Sequence, residues 1–411
     1  MVKIVIVAGQ QLFPVATGGQ LRTAGFAQAL ARQGYNVTVY SLTGRRADYV
    51  SSRFLAGRRQ EAIEDRLIEI THLGFWRGIA HYLSRAVRYP RFLQYYALAR
   101  GWIPKELRTL LSEADAVIAD GSFIPRVPEY PATQPWYLLS HQLEFKLLEQ
   151  QYGVAHRYTQ RLKRFEEKAA QQYHEIFSVA EADQEFFRKE DIRKLIDAPI
   201  LRCGVDPLRY QRDPVTRARV REELGFATND TVFLFTGSAW LPNAQAVSFL
   251  REFARRNHDV LRKLRIYFLI VGSVEKASSR DGRTVITGRV PEIFPYFCAA
   301  DVGLNPIDTG AGANVKLFEY VAAKLPVMST TFGARGSSLV EGIDYVGFNR
   351  ENFLDVLHSV VARRSDGDWE LLGEEVWSRH KNQFDITEIV RSTLILAPDF
   401  PQIPYQRLPE S

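Results

Sequence analysis

The chain has 411 residues, 46% of them apolar and 24% charged, and a net charge of +6; it is too long for one ordinary core and suits two folded domains. No stretch reaches the roughly 18 apolar residues of a membrane-spanning helix, and the opening MVKIVIVAGQ lacks a cleavage-site pattern and reads as a buried strand rather than a signal peptide. Two cysteines, Cys203 and Cys298, exclude a disulfide framework and a thiolate metal site, which makes the cytoplasm the expected compartment.

In chain order, Lys3–Ala8 is an unbroken apolar strand of the kind covered on both faces in a parallel sheet. A loop with Gly18 and Gly19 follows, then an amphipathic helix over residues 21–33 stopped by Gly34, then a strand at Asn36–Ser41. This βαβ unit is not of the nicotinamide type. That fingerprint needs G-x-G-x-x-G directly after the strand and an acidic residue closing the second strand; here the glycines are Gly18, Gly19 and Gly25, and the second strand ends at Ser41.

Residues 1–210 carry 29 Lys+Arg against 22 Asp+Glu, whereas the remainder carries 24 against 25, so the excess positive charge belongs to the first half. Part of it sits in residues 76–108: Arg77, Arg85, Arg88, Arg91, Arg100, Lys105 and Arg108 stand against the single acid Glu106, among seven aromatics. Such a surface suits an anionic membrane or a lipid-diphosphate acceptor. Nucleic acid fits less well, because no recognised binding motif accompanies the charge.

Further strands are expected at 115–119, 136–140 and 175–180. Gly204, Pro207 and Pro214 then interrupt the pattern, which places a domain boundary between residues 208 and 209. The alternation resumes with strands at Thr231–Thr236, Ile266–Val271, 284–287, Val302–Asn305 and 327–330, followed by a helix over 369–396 and an extended, proline-rich tail. Two consecutive α/β sandwiches with parallel sheets are the simplest architecture.

The run DTGAGANVKLFEYVAAKLPVMST, from Asp308 to Thr330, is the most informative segment. Small residues let backbone N–H groups approach an anion, and the helix that starts near Asn314 favours negative charge at its amino end. Lys316 adds a cation there, and Glu319 lies on the same helix face, able to accept hydrogen bonds from sugar hydroxyls. Anion donors followed by a diol acceptor suit a nucleoside diphosphate. Asp366-Gly367-Asp368 matches D-x-D but sits in a turn before a helix, where Asp serves as a cap, so no metal ligands are assigned.

The segment resembles the donor-binding signature of family 4 (group 1) glycosyltransferases, retaining enzymes of the GT-B fold. The likeness extends over most of the chain: LRCGVDPLRY resembles the piece joining the two halves, VFLFTGSAWLPNAQAVSFL the opening of the C-terminal domain, and VITGRVPEIFPYFCAADVGLNP the strand and loop at the base. It implies two Rossmann-like, doubly wound domains facing across a cleft: an acceptor-side domain at 1–208, a donor domain at 209–385, and a C-terminal helix and tail at 386–411 crossing back.

The resemblance further implies donor contacts from Gly237, Ser238, Arg289, Val290, Asn314, Val315, Lys316 and Glu319, and acceptor-side contacts from Gly18, Gly19, Arg22 and Glu144. His141, in a His-x-x-Glu after the strand at 136–140, is expected to act with Lys316 at the reacting centre. Retention is described as front-face attack in which the leaving diphosphate oxygen takes the acceptor's proton, so catalysis is mostly positioning and charge stabilisation. The chain departs from the family in two places. Ala311 stands where many members carry a second glutamate, leaving Asp308 as a candidate carboxylate, and TGSAWLPN lacks the usual Arg and Lys. The expected function is transfer of a sugar from a nucleoside diphosphate sugar to a carbohydrate or lipid-linked acceptor, without a metal or other cofactor, in cell-surface glycan or glycolipid synthesis. A non-catalytic nucleotide-binding subunit that stabilises a partner transferase is the alternative, and a sugar-nucleotide epimerase of the same fold ranks third.

Overall fold

The structure is a computed structural model, and it describes residues 1–15, 18–42, 58–72, 103–122, 124, 134–141, 143–179, 181–189, 200–310, 314–364, 368–395, 397 and 399–403. These divide into two compact units, Met1–Arg202 with Ile386–Ser411, and Cys203–Asp385. Residues 203–208 thus pack with the second unit.

The first unit runs β1 (Lys3–Ala8), α1 (Gly18–Arg32), β2 (Asn36–Ser41), β3 (Arg58–Glu64), β4 (Leu67–His72), α2 (Lys105–Glu113), β5 (Ala116–Asp120), β6 (Trp136–Leu139), α3 (Glu144–Tyr152), α4 (Arg157–Ala170), β7 (Glu175–Phe177) and α5 (Glu181–Lys189). Its sheet has the order β3-β4-β2-β1-β5-β6-β7. In β1 the alternation of side chains feeds two cores. Ile4, Ile6 and Ala8 pack on one face with Ala24, Phe26 and Leu30 of α1, while Val5 and Val7 pack on the other with Leu107 and Leu111 of α2. A sheet covered on both faces needs an apolar residue at every position of its central strand, which explains the unbroken run.

The second unit opens with a short 3-10 turn (Pro207–Tyr210) and continues α6 (Pro214–Glu223), β8 (Thr231–Thr236), α7 (Leu241–Arg256), α8 (His258–Lys263), β9 (Ile266–Val271), β10 (Ser279–Asp281), β11 (Thr284–Ile286), α9 (Phe294–Ala299), β12 (Val302–Asn305), α10 (Val315–Ala322), β13 (Val327–Ser329), α11 (Thr331–Ala334), β14 (Tyr345–Gly347), α12 (Phe353–Arg364) and α13 (Asp368–Phe384). Its order is β10-β11-β9-β8-β12-β13-β14, the same arrangement as the first. Asp213 caps α6 by accepting from the Thr216 amide at 2.7 Å, with Pro214 at the first helical position, so the prolines that break the pattern also start a helix.

The sheets are mixed rather than purely parallel. β3 runs antiparallel to β4, and β10 antiparallel to β11, each at one edge. The sequence RRQEAIE of β3 is too polar to announce a strand, because an edge strand needs little apolar cover. The expected helix over 369–396 is two helices. The chain breaks at Asp385, which forms an isolated bridge with Val205, and α14 (Ile386–Ile395) packs with the first unit, where Gly25 of α1 leaves room for Ile386.

Helix α10 is seated closely on the sheet of the second unit. Tyr320 lies on Gly303 of β12, where a Cβ would stand 2.4 Å from the ring. The Tyr320 hydroxyl accepts from the Thr236 amide at 3.1 Å and donates to the Leu304 carbonyl at 3.3 Å. Replacing Gly303→Ala is expected to lower the denaturant midpoint by an amount equivalent to about 1–3 kcal/mol of overpacking; an unchanged urea transition would contradict this seating.

Candidate nucleotide and sugar site

In the second unit the candidate residues lie at the carboxyl ends of β8, β11 and β12, the side on which open α/β sheets bind ligands. Val315 begins α10, and no side chain caps that helix, so its first N–H groups favour an anion. Asn314, just before it, donates from Nδ2 to the Gly333 carbonyl at 2.7 Å and ties the helix start to α11. Lys316 is half-buried. Its ammonium donates to Asn243 Oδ1 at 3.0 Å and lies 4.6 Å from the centre of the Phe235 ring. Burial pushes this ammonium down to about 7, the Glu319 charge offsetting part of the effect.

Glu319 is buried on the same helix and accepts from the Tyr210 hydroxyl at 2.7 Å. Burial raises its carboxyl above the usual range, while the Tyr210 hydrogen bond and the Lys316 and Arg209 charges act the other way. Tyr210 is itself wedged edge-on against Phe297, with ring centres 5.2 Å apart. Both residues were invisible as partners in the sequence: Tyr210 closes LRCGVDPLRY, and Asn243 follows Pro242 in the TGSAWLPN segment.

Three further candidates have partners within the unit. The Gly237 amide donates to the Val271 carbonyl and its own carbonyl accepts from Val274, each at 3.0 Å, so its backbone is used inside the fold; its missing side chain makes room for Asn243. Ser238 is exposed, and its carbonyl accepts from Asn243 Nδ2 at 3.0 Å. Asp308 is not a free carboxylate: Arg350 grips Oδ2 through Nε at 2.8 Å and Nη2 at 2.6 Å. Arg289 is exposed and makes no ion pair among the described residues, and Val290 beside it is half-buried. Ala311, Asp366 and Gly367 lie outside the described residues, and Asp368 begins α13. Among the described residues no three His, Cys, Asp or Glu side chains cluster as metal ligands.

In the first unit Gly18 and Gly19 form the first residues of α1 rather than a preceding loop, and Gly19 is exposed with open space around it. Arg22, expected on the acceptor side, is only 2% exposed. Its guanidinium donates to the carbonyls of Ser140 at 2.6 Å, Leu201 at 2.8 Å and Phe177 at 3.4 Å, tying the ends of β6 and β7 together. It is therefore a structural strap. Glu144 begins α3, and its amide donates at 3.2 Å to the buried Glu166. Glu166 also accepts from Ser122 and Phe145, and burial pushes its carboxyl up to about 7.

The sequence reading missed Asp120, at the end of β5. Asp120 Oδ1 stands 2.6 Å from His141 Nε2 and accepts from the Thr23 hydroxyl at 2.6 Å. Burial alone would raise this carboxyl, but the imidazole, the Thr23 hydroxyl and the Arg22 charge outweigh it and hold Asp120 below the usual range. Asp120 thus fixes the ring orientation of His141 and leaves Nδ1 without a partner among the described residues. The signal available was an acidic residue closing an apolar strand, AVIAD.

The half-neutral state of Lys316 has a measurable consequence. An anion at the start of α10 raises the Lys316 pKa, so binding takes up protons, and affinity falls as pH rises above about 7. Inorganic pyrophosphate titrated calorimetrically at pH 8 should absorb up to roughly one proton per anion, seen as a heat that varies with the buffer's ionisation enthalpy. Lys316→Met should abolish the dependence; a buffer-independent heat in the unaltered protein would contradict it.

Comparison with known proteins places these observations. Residues 230–359 match the family described as Glycosyl transferases group 1. No curated protein matches the chain by sequence. Among solved structures, the chain is similar to sucrose-phosphate synthase from Thermosynechococcus elongatus at 13% identity, covering 97% of this chain and 98% of that one with a TM-score of 0.66. It is also similar to WaaG, a glycosyltransferase involved in lipopolysaccharide biosynthesis, at 15% identity, 96% and 99% coverage and a TM-score of 0.63. HepE of Anabaena, solved in complex with UDP-glucose, gives 13% identity, 97% and 100% coverage and a TM-score of 0.63. At such identities the likeness establishes the fold, and the family match establishes the class of the second unit. The chain has the two-domain GT-B fold, and residues 230–359 of its second unit match the group 1 glycosyltransferases.

Proposed function

We propose that the protein transfers a sugar from a nucleoside diphosphate sugar to a carbohydrate or lipid-linked acceptor, with retention of configuration, in the synthesis of a cell-surface glycan or glycolipid. The observation that carries this reading is the pairing on α10 of a half-buried Lys316 beside uncapped helix amides with a buried Glu319 held by Tyr210. A cation at a helix start suits a diphosphate, and a carboxylate one turn deeper suits a ribose diol. Asn314, Val315, Arg289 and Val290 complete the donor side. His141, oriented by Asp120, and Gly19 are assigned to the acceptor side, in the first unit.

In the reaction the bond from the sugar's anomeric carbon to the diphosphate breaks and a bond to the acceptor oxygen forms on the same face. The acceptor's proton passes to the departing diphosphate oxygen. Lys316 and the helix amides stabilise the charge that develops on that diphosphate, which is the larger share of catalysis in such a step. We assign no metal to the step, and the protein to the cytoplasm, with its first unit resting on the membrane that carries the acceptor. No helix among the described residues is long and apolar enough to span a membrane.

A second reading, a nucleotide-binding subunit without turnover, is favoured by one observation: Asp308 is engaged by Arg350 instead of being offered to a substrate. Release of sugar from the donor by the purified protein alone separates the two readings.

A thermal-shift screen of UDP, GDP, ADP and dTDP in the presence of EDTA tests the proposal. One of them should stabilise the protein, by about 2.7 kcal/mol at 100 times its dissociation constant. Glu319→Ala should remove about 1.5–3 kcal/mol of that ligand's binding energy while the fold persists. Absence of any shift, or a shift that appears only when magnesium or manganese is added, would overturn the metal-free donor site.

A further inference from the structure

Helix α4 of the first unit carries a row of cations that the nucleotide site does not use. Arg157, Arg161, Arg164 and Lys168 recur at spacings of four, three and four residues, and all four are exposed. At about 100° per residue these positions fall within roughly 60° of arc, along a ridge of about 16 Å. The acids of the helix do not face that ridge. Glu166 is buried, where it holds the start of α3, and Glu167 pairs with Lys163 at 3.5 Å. Among the described residues Arg161, Arg164 and Lys168 have no ion-pair partner, and Arg157 leans on Tyr158, its guanidinium 4.7 Å from the ring centre.

The amino end of the ridge continues into an apolar knob. Tyr152 is 40% exposed and Val154 60% exposed. The knob is a built turn, for Gly153 at φ +88 closes α3, its carbonyl accepts from Thr159 at 3.1 Å, and the Val154 carbonyl accepts from Gln160 at 2.8 Å. His156 stacks on Tyr152 with ring centres 5.1 Å apart. Exposed apolar side chains fixed in place beside a line of cations match a surface that offers anions and an apolar phase together.

We infer that the α4 ridge and the Tyr152–Val154 knob form a docking surface for an anionic lipid bilayer, with the cations on the headgroups and Val154 and Tyr152 at the acyl boundary. A nucleic acid would answer the cations but offers no apolar phase to the knob. The inference deepens the membrane part of the function proposed above and does not involve the nucleotide site.

Co-sedimentation of the full chain with vesicles tests it, comparing phosphatidylcholine containing phosphatidylglycerol with phosphatidylcholine alone. Binding should require the anionic lipid and fade with salt. Arg161→Glu combined with Arg164→Glu should lower the partition coefficient by at least about 25-fold, near five-fold per cation lost. Tyr152→Ser with Val154→Ser should weaken binding while leaving its salt dependence in place. The thermal shift produced by inorganic pyrophosphate should be unchanged in both variants, which separates a failure here from a failure of the nucleotide site. Unchanged partitioning of the charge-reversed protein, or equal binding to neutral vesicles, would overturn the proposal. Retention on duplex DNA lost in the same variant, without vesicle binding, would assign the ridge to nucleic acid and overturn it as well.

Discussion

A carboxylate taken out of water must be given hydrogen-bond donors, and in the second unit Tyr210 supplies one to Glu319 from outside the helix that bears it. Much of the site depends on that contact. It ties the entry segment of the unit to α10, and Tyr320 of α10 is seated in turn on Gly303, with its hydroxyl between Thr236 and Leu304. Lys316 is thereby held where burial costs it charge, between the Phe235 ring and Asn243. The helix start is preorganised for an anion, and such preorganisation lets fixed groups stabilise developing charge without rearranging.

The first unit uses the same device with the signs exchanged. Arg22 is a buried cation whose terminal nitrogens are held by backbone carbonyls, and it fixes the strand ends from which His141 follows. Asp120 is a half-buried anion held by His141 and Thr23. Glu69 is a buried carboxylate: it accepts from the Leu12 and Phe13 amides and from Ser41, and so holds the loop after β1. Such charged groups position loops and strand ends that apolar packing alone would leave loose, because each must find its partners in one geometry.

The sheet cores were legible in the sequence because strands covered on both faces cannot avoid continuous apolar runs, as in KIVIVA and TVFLFT. The edge strands were not. β3 carries Arg, Gln and Glu and declares itself only through pairing with β4. The start of α10 was readable from small residues followed by Lys and Glu. The partners of those residues were not, since Tyr210 lies 109 positions from Glu319 and Asn243 lies 73 from Lys316. Arg22 was opaque for a related reason: an arginine after two glycines near a strand end looks like an anion ligand, and only the fold shows carbonyls taking up its terminal nitrogens. The partner of Asp308 was hidden likewise, Arg350 lying 42 residues away.

The central claim is that Glu319, held by Tyr210, receives the ribose hydroxyls of a bound nucleotide. The most direct measurement compares the dissociation constants of a ribonucleoside diphosphate and its 2′,3′-dideoxy counterpart, in the unaltered protein and in Glu319→Ala. The account predicts that the unaltered protein prefers the ribose form by at least about tenfold, the worth of a hydrogen bond to a charged group, and that Glu319→Ala binds the two alike. An equal preference in both proteins, or none in the unaltered one, would contradict it.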